Sequence, residues 1–234
     1  MSRGVASLFV RDEITLGGET ASTTGQRFDF AFGTRQFRTL ETSLRGSFQF
    51  NNAAIAIALF LLWLERVRPN EPPGKIEAAI RSGLGDAHWP GRLEVIRQNP
   101  LTVIDVGHTP DGIRQSLASL RTIYGAQGFL LVTGVSVDKK AAEIVGALAP
   151  SFDTMVCAAA HHKGADANDI AAAARQANPA AAVHLAATIE EAVDFSQQLA
   201  ASSHRKIYVA GGLFLAIEYA TIARGGRVEE LNFF

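Results

Sequence analysis

The 234-residue chain carries 22 Lys and Arg against 23 Asp and Glu, a formal net charge of −1, with 47% hydrophobic and 19% charged residues. This composition supports one packed domain, or one domain plus part of another, and excludes a disordered chain; the balanced charge provides no broad basic surface for nucleic acid. Its one cysteine, Cys157, lies in an apolar run, which excludes a disulfide framework and CxxC metal sites and fits a buried thiol in a reducing compartment.

The opening MSRGVASLFVRDEI lacks the apolar segment of a signal peptide. The longest apolar stretch, Ala53 to Leu64, falls short of the roughly 20 residues that cross a bilayer. A cytoplasmic protein with no membrane partner is expected.

Residues 5 to 46 read as β-rich through SLFV, EITL, RFDFAFG and QFRTLETSL, broken by Gly17-Gly18 and Gly25. Alternation from Arg27 to Phe32 predicts a half-buried strand. No helix of core-forming length precedes residue 50, so this segment reads as the tail of a larger domain. The next stretch, SLRGSFQFNNAAIAIALFLLWLERV, predicts a helix apolar all round and therefore buried, with Asn51 or Asn52 as its N-cap. Pro69, Pro72, Pro73 and Gly74 read as a linker, which places a boundary between domains 1–68 and 69–234. Ile76, Ala79, Ile80 and Leu84 then mark a short amphipathic helix.

From Arg92 onward, strands alternate with helices. Strands are predicted at 92–97, 101–105, 128–134, 153–160, 181–185 and 206–211, and helices at 110–123, 138–148, 166–177, 188–201 and 213–224. The fold class is α/β: a Rossmann-like, mostly parallel, doubly wound sheet preceded by a partial β-rich segment and a buried helix. No GxGxxG follows a strand, so a dinucleotide site has no support.

Chemistry concentrates in HWPGRLEVIRQNPLTVIDVGHTPDG, residues 88 to 112. The second strand ends on Asp105, and Thr109-Pro110 reads as an N-cap and first helical residue. This places polar groups at the carboxyl edge of a parallel sheet, where open α/β sheets bind ligands. Arg92 precedes the neighbouring strand, within reach of a phosphate. Structural roles compete: Arg92 pairing with Glu94, Asp105 capping its turn, and His108 holding a backbone carbonyl. Asp138 reads as a cap for the following helix with Lys139 solvated, and His161-His162 as a solvated loop.

PGRLEVI followed by Asp105-Val106-Gly107-His108-Thr109-Pro110 resembles the Mur ligase superfamily, in its folylpolyglutamate synthase/dihydrofolate synthase branch. That branch has P-G-R-x-E and then D-G-A-H-N-P; Thr109 stands where it has Asn. Gly46, Gln49, Asn52, Ala53 and Ala54 match its G-x-H-Q-x-x-N-A-A, with Phe48 replacing His. Asp138-Lys139-Lys140 resembles its D-K-D, and Val209 to Phe214 occupies the place of its T-G-S-L-Y, with the hydroxyls lost at 210, 212 and 214.

The resemblance implies the C-terminal portion of an ATP-dependent carboxylate–amine ligase, in which an acyl phosphate is attacked by an amino group. It implies Arg92 and His108 as catalytic residues, Arg92 at the nucleotide phosphates, Asp105 at the ribose, and His108 near the nucleotide or incoming amino acid. Lys139 becomes a phosphate or substrate contact, while Gln49 and Asn52 contact the adenine; the amide of Asn52 has donors and acceptors enough to cap and contact alike. Substrates would be ATP with Mg, a folate-like or other carboxylate, and an amino acid such as glutamate. The sequence contains no GxxxxGK[ST] phosphate loop, and no metal ligands are assigned to it. ATP and Mg would thus require the missing N-terminal portion, in cis or in trans, and the chain alone is expected to be inactive. The alternative is a stand-alone, non-catalytic Mur-ligase-like domain that binds a nucleotide or partner.

Overall fold

The computed structural model describes residues 13 to 233, so the expected strand SLFV lies outside the described residues. The chain divides into two compact units between Trp89 and Pro90.

The first unit is an antiparallel meander, β1 (Ile14–Ala21), β2 (Gln26–Phe32) and β3 (Arg35–Thr42), with helices α1 (Phe48–Val67) and α2 (Pro73–Gly85). The expected alternation in β2 is present: Phe28 and Phe30 point into the core, and Arg27 is exposed. Gly17-Gly18 does not break the first strand, because the register shift between Gly17 and Thr20 absorbs it as a bulge within β1. Phe28, Phe30, Phe37 and Leu40 pack against Phe50, Ile57 and Leu61 of α1 and against Ile76, Ile80 and Leu84 of α2.

That packing corrects the expected boundary at 68/69. The linker prolines are real, but the apolar stripe of α2 belongs to the first core. Arg81 also ties α2 to β3, donating to Arg38 O at 2.7 Å and Thr39 O at 2.8 Å. The division therefore falls after Trp89.

α1 corrects two further expectations. It begins at Phe48, upstream of both asparagines, with Ser47 at the N-cap position, so neither Asn51 nor Asn52 caps it. Nor is it buried all round. One face fills the core, while Ile55, Leu59, Leu62 and Trp63 form an opposite apolar stripe, with Leu59 58% and Trp63 52% exposed. By length and composition this 20-residue helix passes as one able to cross a membrane. Its packed face places Phe50, Ala53, Ala54, Ile57, Ala58, Leu61 and Leu64 in the core of this unit.

The second unit is a six-stranded sheet in the order β4-β5-β9-β6-β7-β8. Its strands are β4 (Glu94–Gln98), β5 (Leu101–Ile104), β6 (Phe129–Thr133), β7 (Thr154–Cys157), β8 (Ala182–Leu185) and β9 (Lys206–Ala210). β4 and β5 form an antiparallel hairpin, and every other pairing is parallel. Helices α3 (Pro110–Tyr124), α4 (Ala141–Leu148) and α5 (Ala167–Ala177) neighbour one another in one layer, and α6 (Ile189–Ser202) packs with α7 (Leu213–Ala223) in the other. Leu130, Val132, Val156, Ile207 and Val209 meet Ala192, Val193, Leu215 and Tyr219 on the second face. Successive strand residues, Leu131, Met155 and Tyr208, are fully buried on the first. The expected doubly wound sheet is thus observed. β9, last in sequence, is inserted between β5 and β6, so the chain reverses direction across the sheet at that crevice.

Candidate functional site

The crevice is built from the turns that leave β5, β6 and β9. The chain leaves β5 at Asp105, whose amide still donates to Val209 O of β9 at 2.9 Å. Its carboxylate is 1% exposed and turns back on the chain. Oδ1 accepts from the Gly107 amide at 2.8 Å and Oδ2 from the Leu93 amide at 3.2 Å. Val106 N donating to Gly91 O at 2.7 Å completes a lacing between the 91–93 and 105–107 segments.

The local backbone demands particular residues. Gly91 has φ of +76°, and a Cβ there would lie 2.5 Å from Val106 Cγ1. A Cβ on Gly107 would fall 2.6 Å from Asp105 Oδ1. Leu93 adopts φ of +45° although it is fully buried and carries a Cβ. Such a conformation costs on the order of 1 kcal/mol or more and persists only where surroundings over-determine it. It also explains why β4 starts at Glu94 and not at Arg92 as expected.

Arg92 lies half-buried between these two positive-φ residues. Glu94, its expected structural partner, is engaged elsewhere: Oε2 accepts from the Gly91 amide at 2.7 Å, and Oε1 pairs with Arg224 at 2.6 Å. Among the described residues Arg92 forms no salt bridge, and its charge bears on Asp105. Burial raises the Asp105 pKa above the ordinary carboxylate value, while the Gly107 amide, Arg92, the Ser116 hydroxyl and the Leu93 amide oppose that rise. Tyr208, fully buried on β9, borders the same group; burial first, and the Asp105 charge second, hold its phenol well above the usual range.

His108 is exposed, and its Nδ1, in the tautomer protonated there, donates to Val106 O at 3.3 Å. The carbonyl-holding role thus occupies one ring nitrogen and leaves Nε2 out of that bond. Thr109 caps α3 as expected, its Oγ1 accepting from Gly112 N at 3.2 Å, with Pro110 in the first turn. The structure brings Arg92, Asp105 and the His108 turn together. Lys139 stands apart on the exposed loop after β6, paired with Asp138 at 3.1 Å. Asp138 does not cap the next helix as expected, because α4 starts only at Ala141 and Lys140 holds the cap position. Gln49 and Asn52 belong to the first unit; exposed Asn52 donates through Nδ2 to Oε1 of buried Gln49 at 2.9 Å.

At the end of β9, Gly211 has φ of +126°, and a Cβ there would lie 2.7 Å from both Gly134 O and Thr133 Oγ1. Thr133 is fully buried, and its hydroxyl has no hydrogen-bond partner among the described residues. α7 then starts at Leu213 with Gly212 as its N-cap, so no side chain fills its first amides.

Two features escaped the sequence reading. Glu218, 1% exposed in α7, accepts from the backbone amides of His161 at 2.6 Å and His162 at 2.8 Å. A lone acid in the apolar run LFLAIEYATIA was the available signal. His162 is also not a solvated loop residue: its ring packs against Phe214 at 4.5 Å and Phe233 at 4.9 Å.

Residues 91–213 match the family model described as "Mur ligase, glutamate ligase domain". The chain belongs to this family of Mur ligases. It is 35% identical to the folylpolyglutamate synthase of Lacticaseibacillus casei over 132 residues, covering 56% of this chain and 29% of that protein. It is 32% identical to a probable bifunctional folylpolyglutamate synthase/dihydropteroate synthase of Haloferax volcanii over 179 residues, covering 76% of this chain and 20% of that protein. In fold it is similar to Mycobacterium tuberculosis folylpolyglutamate synthase complexed with ADP and AMPPCP, with a TM-score of 0.75 at 23% identity. That match covers 92% of this chain and 48% of that one. The chain thus spans under a third of these curated relatives and about half of the solved structure.

Proposed function

We propose that the chain is the C-terminal portion of an ATP-dependent carboxylate–amine ligase of the folylpolyglutamate synthase kind, acting in the cytoplasm on one-carbon carriers. The terminal phosphoryl group of ATP passes to a folate-like or other carboxylate, ADP leaves, and the amine of an amino acid such as glutamate displaces phosphate to form the amide. The observation that carries this reading is Arg92, half-buried in the family motif at the sheet's carboxyl edge, while the carboxylate nearest in sequence is committed to Arg224. A guanidinium so placed suits a phosphate oxygen.

In this reading Arg92 stabilises charge on the phosphates. His108 offers Nε2 to the nucleotide or the incoming amino acid, Lys139 exchanges Asp138 for a substrate anion, and Gln49 and Asn52 present amides to the adenine. The bare first turn of α7 suits a carboxylate. Among the described residues no three His, Cys, Asp or Glu side chains converge as a metal site. The metal ligands and phosphate loop fall to the remainder of the ligase.

One observation favours a second reading, a non-catalytic nucleotide- or partner-binding domain. Phe214, where the family has a tyrosine, packs with His162 and Phe233 beside the start of α7. Titration of the chain with ATP, read by NMR, tests nucleotide binding. The proposal expects weak binding lost in Arg92→Ala; binding indifferent to Arg92 would overturn the site.

A further inference from the structure

The crevice described above lies at the carboxyl edge of the six-stranded sheet. The amino edge carries a second recess, which the ligase reading does not use. The turns that lead into β6, β7, β8 and β9 surround a cleft of about 620 Å³, a size that holds a small organic molecule. The last turn of α3 forms one wall and brings Arg121 into it. Thr109 caps the same helix beside the crevice, so the two sites stand about 18 Å apart along its axis.

Most of the polar groups around the cleft serve the fold. Arg205 pairs with Asp153 and donates to Thr154 Oγ1 at 2.8 Å and to Phe129 O at 2.9 Å. Helix carboxyl ends favour cations, but the carbonyls here already have partners. Lys206 Nζ donates to Tyr124 O at 2.7 Å, and Asn178 Nδ2 to Ala149 O at 3.1 Å and Phe152 O at 2.9 Å. Arg121 differs from these. It is exposed, its Nη2 donates to the neutral Ser151 hydroxyl at 2.8 Å, and among the described residues it forms no salt bridge. Its charge is therefore unmatched, while the one acid lining the cleft, Asp153, is committed to Arg205. The loop into β6 leaves room: Gly125 and Gly128 have φ of +88° and +84°, and a Cβ on either would meet nothing within 4 Å.

We propose that this cleft is a binding site for a small organic oxyanion, a phosphate ester or a polycarboxylate, held by Arg121 and Ser151 at the edge of the sheet away from the nucleotide. A guanidinium fork matches carboxylate and phosphate oxygens. Ser151 accepts from Arg121 and so keeps its own hydroxyl proton to donate to the same ligand. The cleft is larger than one phosphate group, and the organic part of the ligand fills the remainder.

The test is a titration of the 234-residue chain with ribose 5-phosphate, citrate and inorganic phosphate, each compared with sodium chloride at equal ionic strength and read by amide NMR. The site predicts saturable shifts at Gly125, Gln127 and Ser151 with ribose 5-phosphate or citrate, and weaker binding of inorganic phosphate. Whichever organic probe binds more tightly identifies the class. Arg121→Ala should weaken that binding about tenfold or more, as for loss of one charged contact. Ala126→Glu, which sets a repelling charge on the exposed loop, should weaken it as well and serves as the check if Arg121→Ala does not fold. Arg92→Ala should leave these shifts unchanged, which separates the cleft from the nucleotide crevice. No saturable shift with either organic anion, shifts reproduced by sodium chloride, or inorganic phosphate bound as tightly would overturn the proposal. So would binding unaltered in folded Arg121→Ala, or binding lost in Arg92→Ala.

Discussion

Glu218 in α7 accepts the backbone amide of His162 at 2.8 Å, and the neighbouring His161 amide at 2.6 Å, so one buried side chain fixes the loop that follows β7. Truncation would leave two amides unsatisfied, each worth about 1–3 kcal/mol when desolvated. Glu218→Ala is expected to cost about 2–5 kcal/mol in denaturant unfolding, and Glu218→Gln less, since it keeps one acceptor oxygen. Equal stability of parent and alanine variant would show the two bonds to be incidental.

The second unit has its own sheet, both helix layers and its own core. Residues 90–234 are therefore expected to fold without residues 1–89 and to melt in one cooperative transition. A broad, probe-dependent melt would count against the division after Trp89.

The outward stripe of α1 gives a different expectation. Ile55, Leu59, Leu62 and Trp63 expose apolar surface on the face opposite the core, in a chain that spans only part of its relatives. A surface of that kind drives association. The 234-residue chain should self-associate in sedimentation velocity, and Leu59→Lys with Trp63→Lys should reduce this with little loss of folding stability. A monodisperse parent would mean that the stripe needs no cover.

Cys157 sets an alkaline limit. Burial pushes its thiol up from 9.0 to about 11, so between these values the folded chain keeps a proton that the unfolded chain has released. The native state binds more protons there, and stability falls as pH rises through that window, by up to about 1.4 kcal/mol per unit. Cys157→Ala should remove this contribution. Below pH 9 the native thiol should also resist thiol reagents, and rapid labelling of folded protein at pH 8 would contradict its burial.

Much of the second unit was legible because strand periodicity, Thr109-Pro110 and the β-branched runs agree with one another. Its errors share a cause. β4 starts two residues late because tertiary bonds force Leu93 to positive φ, which no propensity of leucine announces. The boundary moved because prolines mark a linker without saying which core the next helix joins. Asp105 was legible as a site residue, but the direction of its carboxylate depends on amides distant in sequence. Glu218 and His162 find their partners across the fold, beyond any local pattern.

We propose that this chain supplies part of a ligase and needs the remainder for chemistry. Without a phosphate loop, nothing aligns the terminal phosphate with an acceptor carboxylate. The direct measurement is glutamate transfer to a folate acceptor, with ATP and Mg, by the chain alone and by the chain joined to the part of the Lacticaseibacillus casei enzyme that it does not align with. The chain alone should turn over no ATP, and the joined protein should form amide at a rate that drops at least tenfold in Arg92→Ala. Robust ATP hydrolysis by the 234-residue chain, surviving Arg92→Ala, would contradict it.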